Sequence, residues 1–196
     1  MENQLQNILG LFNQNEINSL SEKTGLNNEQ TSQAIQEVVP TLLSGIQNNI
    51  SSNGLSGFLS ALDKDHDGSI LDDLAGYFNS NSTQTGDGIL KYILGDQRTQ
   101  VENKLAENNH INVESISKLL PLIAPIIMGY LGKEKKSGSI DSGNIGNILG
   151  SLMQGKGGID IGGLIGSLTS GQGQASGNNK SPLGGIVGML GKLFRK

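Results

Sequence analysis

The chain has 196 residues, of which 35% are hydrophobic and only 4% aromatic, with no tryptophan and no cysteine. Such a composition predicts one domain with a small aliphatic core plus an extension, and it excludes a disulfide framework and a cysteine-based zinc site. The net charge of −4 conceals a division: residues 1–132 carry 6 basic and 15 acidic side chains, residues 133–196 carry 8 basic and 3 acidic, and 17 of the 29 glycines lie in the second, shorter region. An acidic domain, 1–132, and a basic, glycine-rich tail, 133–196, are therefore expected to meet near Gly132.

Taken in order, residues 2–14 place Leu5, Ile8, Leu9 and Phe12 on one helical stripe, the i, i+3, i+4, i+7 spacing of an amphipathic helix. A weaker helix over 16–24 stops at Gly25. Asn27 then caps a longer one, 28–49, whose apolar positions keep the helical period through Pro40, where a kink is expected. Residues 57–62 and 70–78 read as helices flanking a polar loop, and 79–85 as a surface connection. Gly86-Asp87-Gly88 reads as a turn, with Asp87 capping a helix over 89–94. Asp96 opens a helix that turns Val101 and Leu105 inward, and Asn112 caps the last core helix, through Leu131. No segment alternates with period two, so the predicted fold class is all-α: a compact bundle of short helices with a Gly-rich, partly helical or disordered C-terminal extension.

The loop between the flanking helices carries the most chemistry. In Asp63-Lys64-Asp65-His66-Asp67-Gly68-Ser69-Ile70-Leu71-Asp72-Asp73-Leu74 three carboxylates recur at every second residue and a glycine follows the third. This is the front half of an EF-hand calcium loop, D-x-[DN]-x-[DN]-G. Asp63, Asp65 and Asp67 would supply positions 1, 3 and 5, Gly68 the sharp turn at position 6, and Ser69 its carbonyl from position 7. His66, at position 4, is expected at the surface. The second half departs from the pattern. Leu74 stands where a bidentate glutamate is expected, and the nearest acids are Asp72 and Asp73. Without that bidentate ligand, affinity should fall toward the roughly 10⁻⁴–10⁻³ M of weak modules. Two other readings stay open: a polar turn in which Asp67 or Ser69 caps a helix starting near Ile70, and a site for magnesium or another hard ion. Five aspartates and one lysine within eleven residues repel one another unless a cation intervenes.

The acidic run 63–74, the segment Gly88-Ile-Leu-Lys-Tyr-Ile-Leu-Gly95 and the segment Leu119-Leu-Pro-Leu-Ile-Ala-Pro-Ile-Ile-Met-Gly129 resemble the YidB-like bacterial family of unknown function (domain of unknown function 937). The resemblance covers roughly residues 5–170. It implies a helical fold and a bacterial source, and no activity.

The tail holds one pattern three times, at 145–152 (IGNILGSL), 161–168 (IGGLIGSL) and 183–190 (LGGIVGML), with a partial fourth copy at 5–12. Each of the three tail copies has one apolar helical stripe with glycines four apart beside it, at 146/150, 162/166 and 184/188, a spacing that lets helix backbones approach closely. Short helices of this kind order only against a partner, another copy or a lipid surface. The last copy is followed by Lys192, Arg195 and Lys196, so residues 182–196 read as a membrane-surface or acidic-partner contact. An acidic balance without basic–aromatic interleaving argues against nucleic acid. No small-molecule substrate is identified, and no H-E-x-x-H, G-x-S-x-G or Walker pattern occurs. The N-terminus lacks the features of a secretory signal, and the apolar run 119–131 is short for a bilayer. A cytoplasmic protein, peripheral to the membrane through its tail, is the expectation. The leading expectation is a non-enzymatic helical protein with a single low-affinity calcium loop. The alternative is an envelope-associated or self-assembling protein, a homo-oligomer, acting through its C-terminal repeats.

Overall fold

The computed structural model describes residues 3–80, 83–141 and 143–153. Every regular element among them is helical: α1 Asn3–Gly10, α2 Gln14–Thr24, α3 Asn28–Asn53, α4 Leu55–Asp65, α5 Leu74–Asn79, α6 Gln84–Leu94, α7 Arg98–Asn109, α8 Val113–Lys136 and α9 Ile145–Met153, with short 3₁₀ turns at Ser69–Asp72 and Gly95–Gln97. Packing divides the chain into Met1–Ile165 and Gly166–Lys196, and the second unit lies outside the described residues.

The helix ends are set by local chemistry. Asn13 Oδ1 accepts from Asn15 N to start α2, and Gly25, left-handed at φ 74°, ends it. Asn27 and Gln30 form a reciprocal capping box on α3, which satisfies two of the amide donors a helix N-terminus leaves open. Asn112 Oδ1 accepts from Ser115 N at 2.7 Å and starts α8. Both long helices run unbroken through prolines, Pro40 in α3 and Pro121 and Pro125 in α8.

α8 is the axis of the bundle. All residues from 119 to 132 are buried, and α2, α3, α4, α6 and α7 pack around them. By length and composition α8 could cross a membrane, but 89% of its most apolar window is buried within the protein. It is therefore the core helix here, its apolar surface removed from solvent by neighbouring helices. Arg98 ties three helices beside it: Nη1 meets Asp87 Oδ1 at 2.8 Å, Nε meets Glu102 Oε1 at 2.7 Å, and Ser117 Oγ of α8 donates to Glu102 Oε2 at 2.8 Å.

Three expectations are corrected. Gly86-Asp87-Gly88 is not a turn; it lies in the first turns of α6, and Asp87 pairs with Arg98. The helix expected over 70–78 is split into a 3₁₀ turn and the short α5, because Asp73, at φ −146° and ψ 70°, leaves the helical conformation and caps α5. The helix before the loop does not stop at Leu62 but continues through Asp65. α8 extends to Lys136, and Ile140, Ile145 and Leu149 belong to the same buried cluster as the rest of the core.

Candidate functional site

The acidic segment leaves α4 at Asp65 and turns at Gly68, whose φ of 93° is a conformation that disfavours any side chain. Asp67 Oδ1 accepts from Ser69 N at 3.0 Å, and Asp67 Oδ2 accepts from Lys136 Nζ at 3.1 Å. The hydrogen bonds from Ser69, then the Lys136 ammonium, hold the Asp67 carboxyl down at about 2, well below the usual carboxylate range. The stabilisation this represents is present above the ordinary carboxylate pKa and is lost as pH falls toward 2. Further on, Asp73 Oδ1 accepts from Gly76 N at 2.7 Å, and Asp73 O accepts from Tyr77 N at 3.0 Å. A side chain at Gly76 would run into that carboxylate, its Cβ 2.1 Å from Asp73 Oδ2.

The whole turn lies on one face of α8, made of Pro121, Pro125, Gly129 and Gly132. A Cβ at Gly132 would sit 1.7 Å from His66 O, one at Gly129 would sit 2.4 Å from Ile70 Cγ2, and one at Gly68 would sit 2.8 Å from Lys133 Cβ. At Gly132 backbone meets backbone at a distance only glycine permits, while at Gly129 and Gly68 the nearest neighbours are the side chains of Ile70 and Lys133. Pro125 has no amide hydrogen, so the carbonyl of Pro121, four residues earlier, lacks its helical donor. Tyr77 of α5 replaces it: its hydroxyl donates to Pro121 O at 3.3 Å. Burial pushes the Tyr77 phenol up to about 12. Lys135 Nζ, near the end of α8, donates to Leu59 O of α4 at 3.1 Å. Between the turn and α8 remains a cleft of about 260 Å³, lined among others by His66, Asp67, Ser69, Tyr77, Thr85 and Pro125.

Residues 6–134 match the family described as "Bacterial protein of unknown function (DUF937)". The chain belongs to this family. No curated protein and no solved structure matches the chain.

The DUF937 match spans the acidic turn and nearly all of α8, so the turn and the face that receives it lie together inside the family region. Of the six residues singled out as metal ligands, Asp67, Ser69, Asp72 and Asp73 are exposed, and the structure commits two of their carboxylates elsewhere: Asp67 to Ser69 and Lys136, Asp73 to the α5 amide. The side chains of Asp63 and Asp65 lie outside the described residues, as does the basic segment 182–196. Among the described residues, no three His, Asp or Glu side chains are placed to hold a metal ion. His66, expected at the surface, is half-buried, with its carbonyl against Gly132. Sequence reasoning missed Lys136, Tyr77 and the glycine face of α8. The spacing P-x₃-P-x₃-G-x₂-G over 121–132 is the signal that could have found the last of these, since it sets small or donor-free residues along one side of a helix.

Proposed function

We propose that this DUF937 protein is a non-enzymatic helical scaffold in which the acidic turn is a clasp, fastening the α4–α5 arm to the core helix α8. The observation that carries this reading is the double engagement of Asp67, by Ser69 N on one oxygen and the Lys136 ammonium on the other. Lys136 supplies the positive charge that crowded aspartates call for. Tyr77, the other strongly shifted group of the region, likewise serves packing, through the Pro121 carbonyl. A calcium ion entering the turn has to displace Lys136 from Asp67 and the Gly76 amide from Asp73. Its affinity then lies at the weak end, roughly 10⁻⁴–10⁻³ M.

Thermal melting with and without calcium, on the full chain and on Lys136→Met, tests this reading. The wild type should show almost no rise in Tm at about 0.01 mM calcium, roughly a tenth of the lowest expected dissociation constant, because a ligand stabilises only in proportion to its occupancy. Lys136→Met, with the competing ammonium gone, should respond at lower calcium than the wild type. A wild-type protein stabilised by several degrees at micromolar calcium would contradict the clasp and restore a preformed ion site.

A second reading is favoured by a different observation. α9 is the first of the three glycine-spaced repeats, and it seats Ile145 and Leu149 in the core. This supports a protein that self-assembles through its repeats, with the basic segment 182–196 contacting a membrane surface or an acidic partner.

A further inference from the structure

Beside the cleft under the acidic turn lies a second one, of about 330 Å³, between α4, α6 and α8. His66 and Thr85 line both clefts, so the two adjoin as one groove. Its halves differ in chemistry. The second is walled by Ala61, Gly88, Ile89, Tyr92 and Met128. Ile89 and Met128 are buried, while Tyr92, 39% exposed, is one of two large hydrophobic side chains left open among the described residues. A Cβ on Gly88 would meet nothing within 4 Å, so this wall stands clear of its neighbours. A volume of this size, mostly apolar and with a few polar groups at one end, falls in the range of roughly 300–1,000 Å³ typical of small-molecule sites.

The half under the turn carries the hydroxyls of Ser69, Ser80 and Thr85 and the carboxylate of Asp67. Among the described residues no lysine or arginine lines either half. The groove is therefore apolar at one end and negative at the other. Lys136, reaching in from the end of α8, shows what the carboxylate takes: its Nζ donates to Asp67 Oδ2 at 3.1 Å, and a lysine side chain is an ammonium on an alkyl stem. The pair is exposed on both sides, so another ammonium can compete for the same oxygen.

We infer that the groove is a binding site for a small amphiphilic amine. Its alkyl or arylalkyl chain lies between α4 and α6 on Ile89 and Met128, and its ammonium head takes Asp67 in place of Lys136. Burial of the chain supplies the affinity, and the carboxylate selects the sign of the head. A fatty acid of the same length would bring a second carboxylate against Asp67. The inference rests on the clasp reading for the position of Asp67 and adds a ligand to it.

NMR titration of the full chain with octylammonium below its micelle concentration tests this, with octanoate as the probe of opposite charge. Octylammonium should shift the Ile89 and Met128 methyl signals and bind about tenfold or more tighter than octanoate, the reach of a charge-assisted hydrogen bond. Gly88→Leu fills the apolar half without touching the clasp. Its Cβ has open space and leucine is the better helix former, so the fold holds while octylammonium binding falls about tenfold or more. Lys136→Met, which frees Asp67, should tighten binding by up to about fivefold, the most an exposed ion pair withholds. Equal affinity for the two probes, unaltered binding to Gly88→Leu, or binding to Lys136→Met that is no tighter each overturns the inference. Nuclear Overhauser contacts between Ile70 and Gly129 in the ligand-free sample keep it apart from the clasp. With those contacts present, any of the three results overturns the amine site and leaves the clasp standing; with them absent, the clasp falls and the amine site with it.

Discussion

Replacing Gly132 with alanine should destabilise the protein by roughly 3 kcal/mol, at the upper end of the usual cost of overpacking. The added Cβ would lie 1.7 Å from His66 O. Neither partner is a flexible side chain: one is the axis of the bundle, the other the backbone of the acidic turn. Relief requires the turn to lift from α8, which also pulls Asp67 from Lys136 and Ile70 from Gly129. Alanine gains up to about 1 kcal/mol over glycine in helix propensity, so the clash has to exceed that before any loss appears. Gly146→Ala supplies the control. Its Cβ would meet nothing within 4 Å, so only the propensity term acts and the protein should gain about 0.5–1 kcal/mol. Urea unfolding monitored by helical circular dichroism measures both, and equal effects of the two substitutions would contradict the glycine-face contact.

Gly86→Ala should cost a similar amount, roughly 3 kcal/mol or more, at the crossing of α6 and α8. Here the Cβ would fall 1.8 Å from Pro121 O and 2.6 Å from Pro121 C, again backbone on both sides. The same carbonyl accepts the Tyr77 hydroxyl at 3.3 Å, because Pro125 cannot serve it. Displacing α6 therefore disturbs α5 too. Tyr77→Phe alone should cost about 1 kcal/mol, the usual net worth of a hydrogen bond. The double substitution should fall short of the sum by about 0.5–1 kcal/mol, since both changes act on one acceptor. Strict additivity in urea unfolding would mean that the Tyr77 bond does not depend on how α6 lies on α8.

The helices with their own caps and periods were legible in the sequence. Asn27 with Gln30, Gly25 and Asn112 mark ends where a side chain or a left-handed residue does the work locally, and Ile8, Leu42, Leu43 and Ile127 sit in the core as their spacing implies. Legibility failed where a distant partner overrules local preference. Gly86-Asp87-Gly88 has the composition of a turn, yet Gly86 is buried at the helix crossing, where its missing side chain is the point. The acidic turn was found, and its left-handed glycine and the helix-capping role of a loop residue follow from its composition. The helix start expected near Ile70 nevertheless falls at Asp73, because the Gly76 amide is open to its carboxylate. What the sequence could not disclose is that the charge answering Asp67 comes from Lys136, 69 residues later. No local pattern links the two; only the length of α8 brings them together.

The central claim is that the turn rests on α8 without a bound ion. Nuclear Overhauser contacts in the full-length, calcium-free protein measure this directly, between the Ile70 methyl groups and the Gly129 α-hydrogens. Strong contacts in the presence of a calcium chelator, unchanged on adding about 0.01 mM calcium, well below the expected dissociation constant, are what the clasp requires. Contacts that are missing with the chelator and form only once calcium is added would show that the ion, rather than the lysine and the glycine face, puts the turn in place.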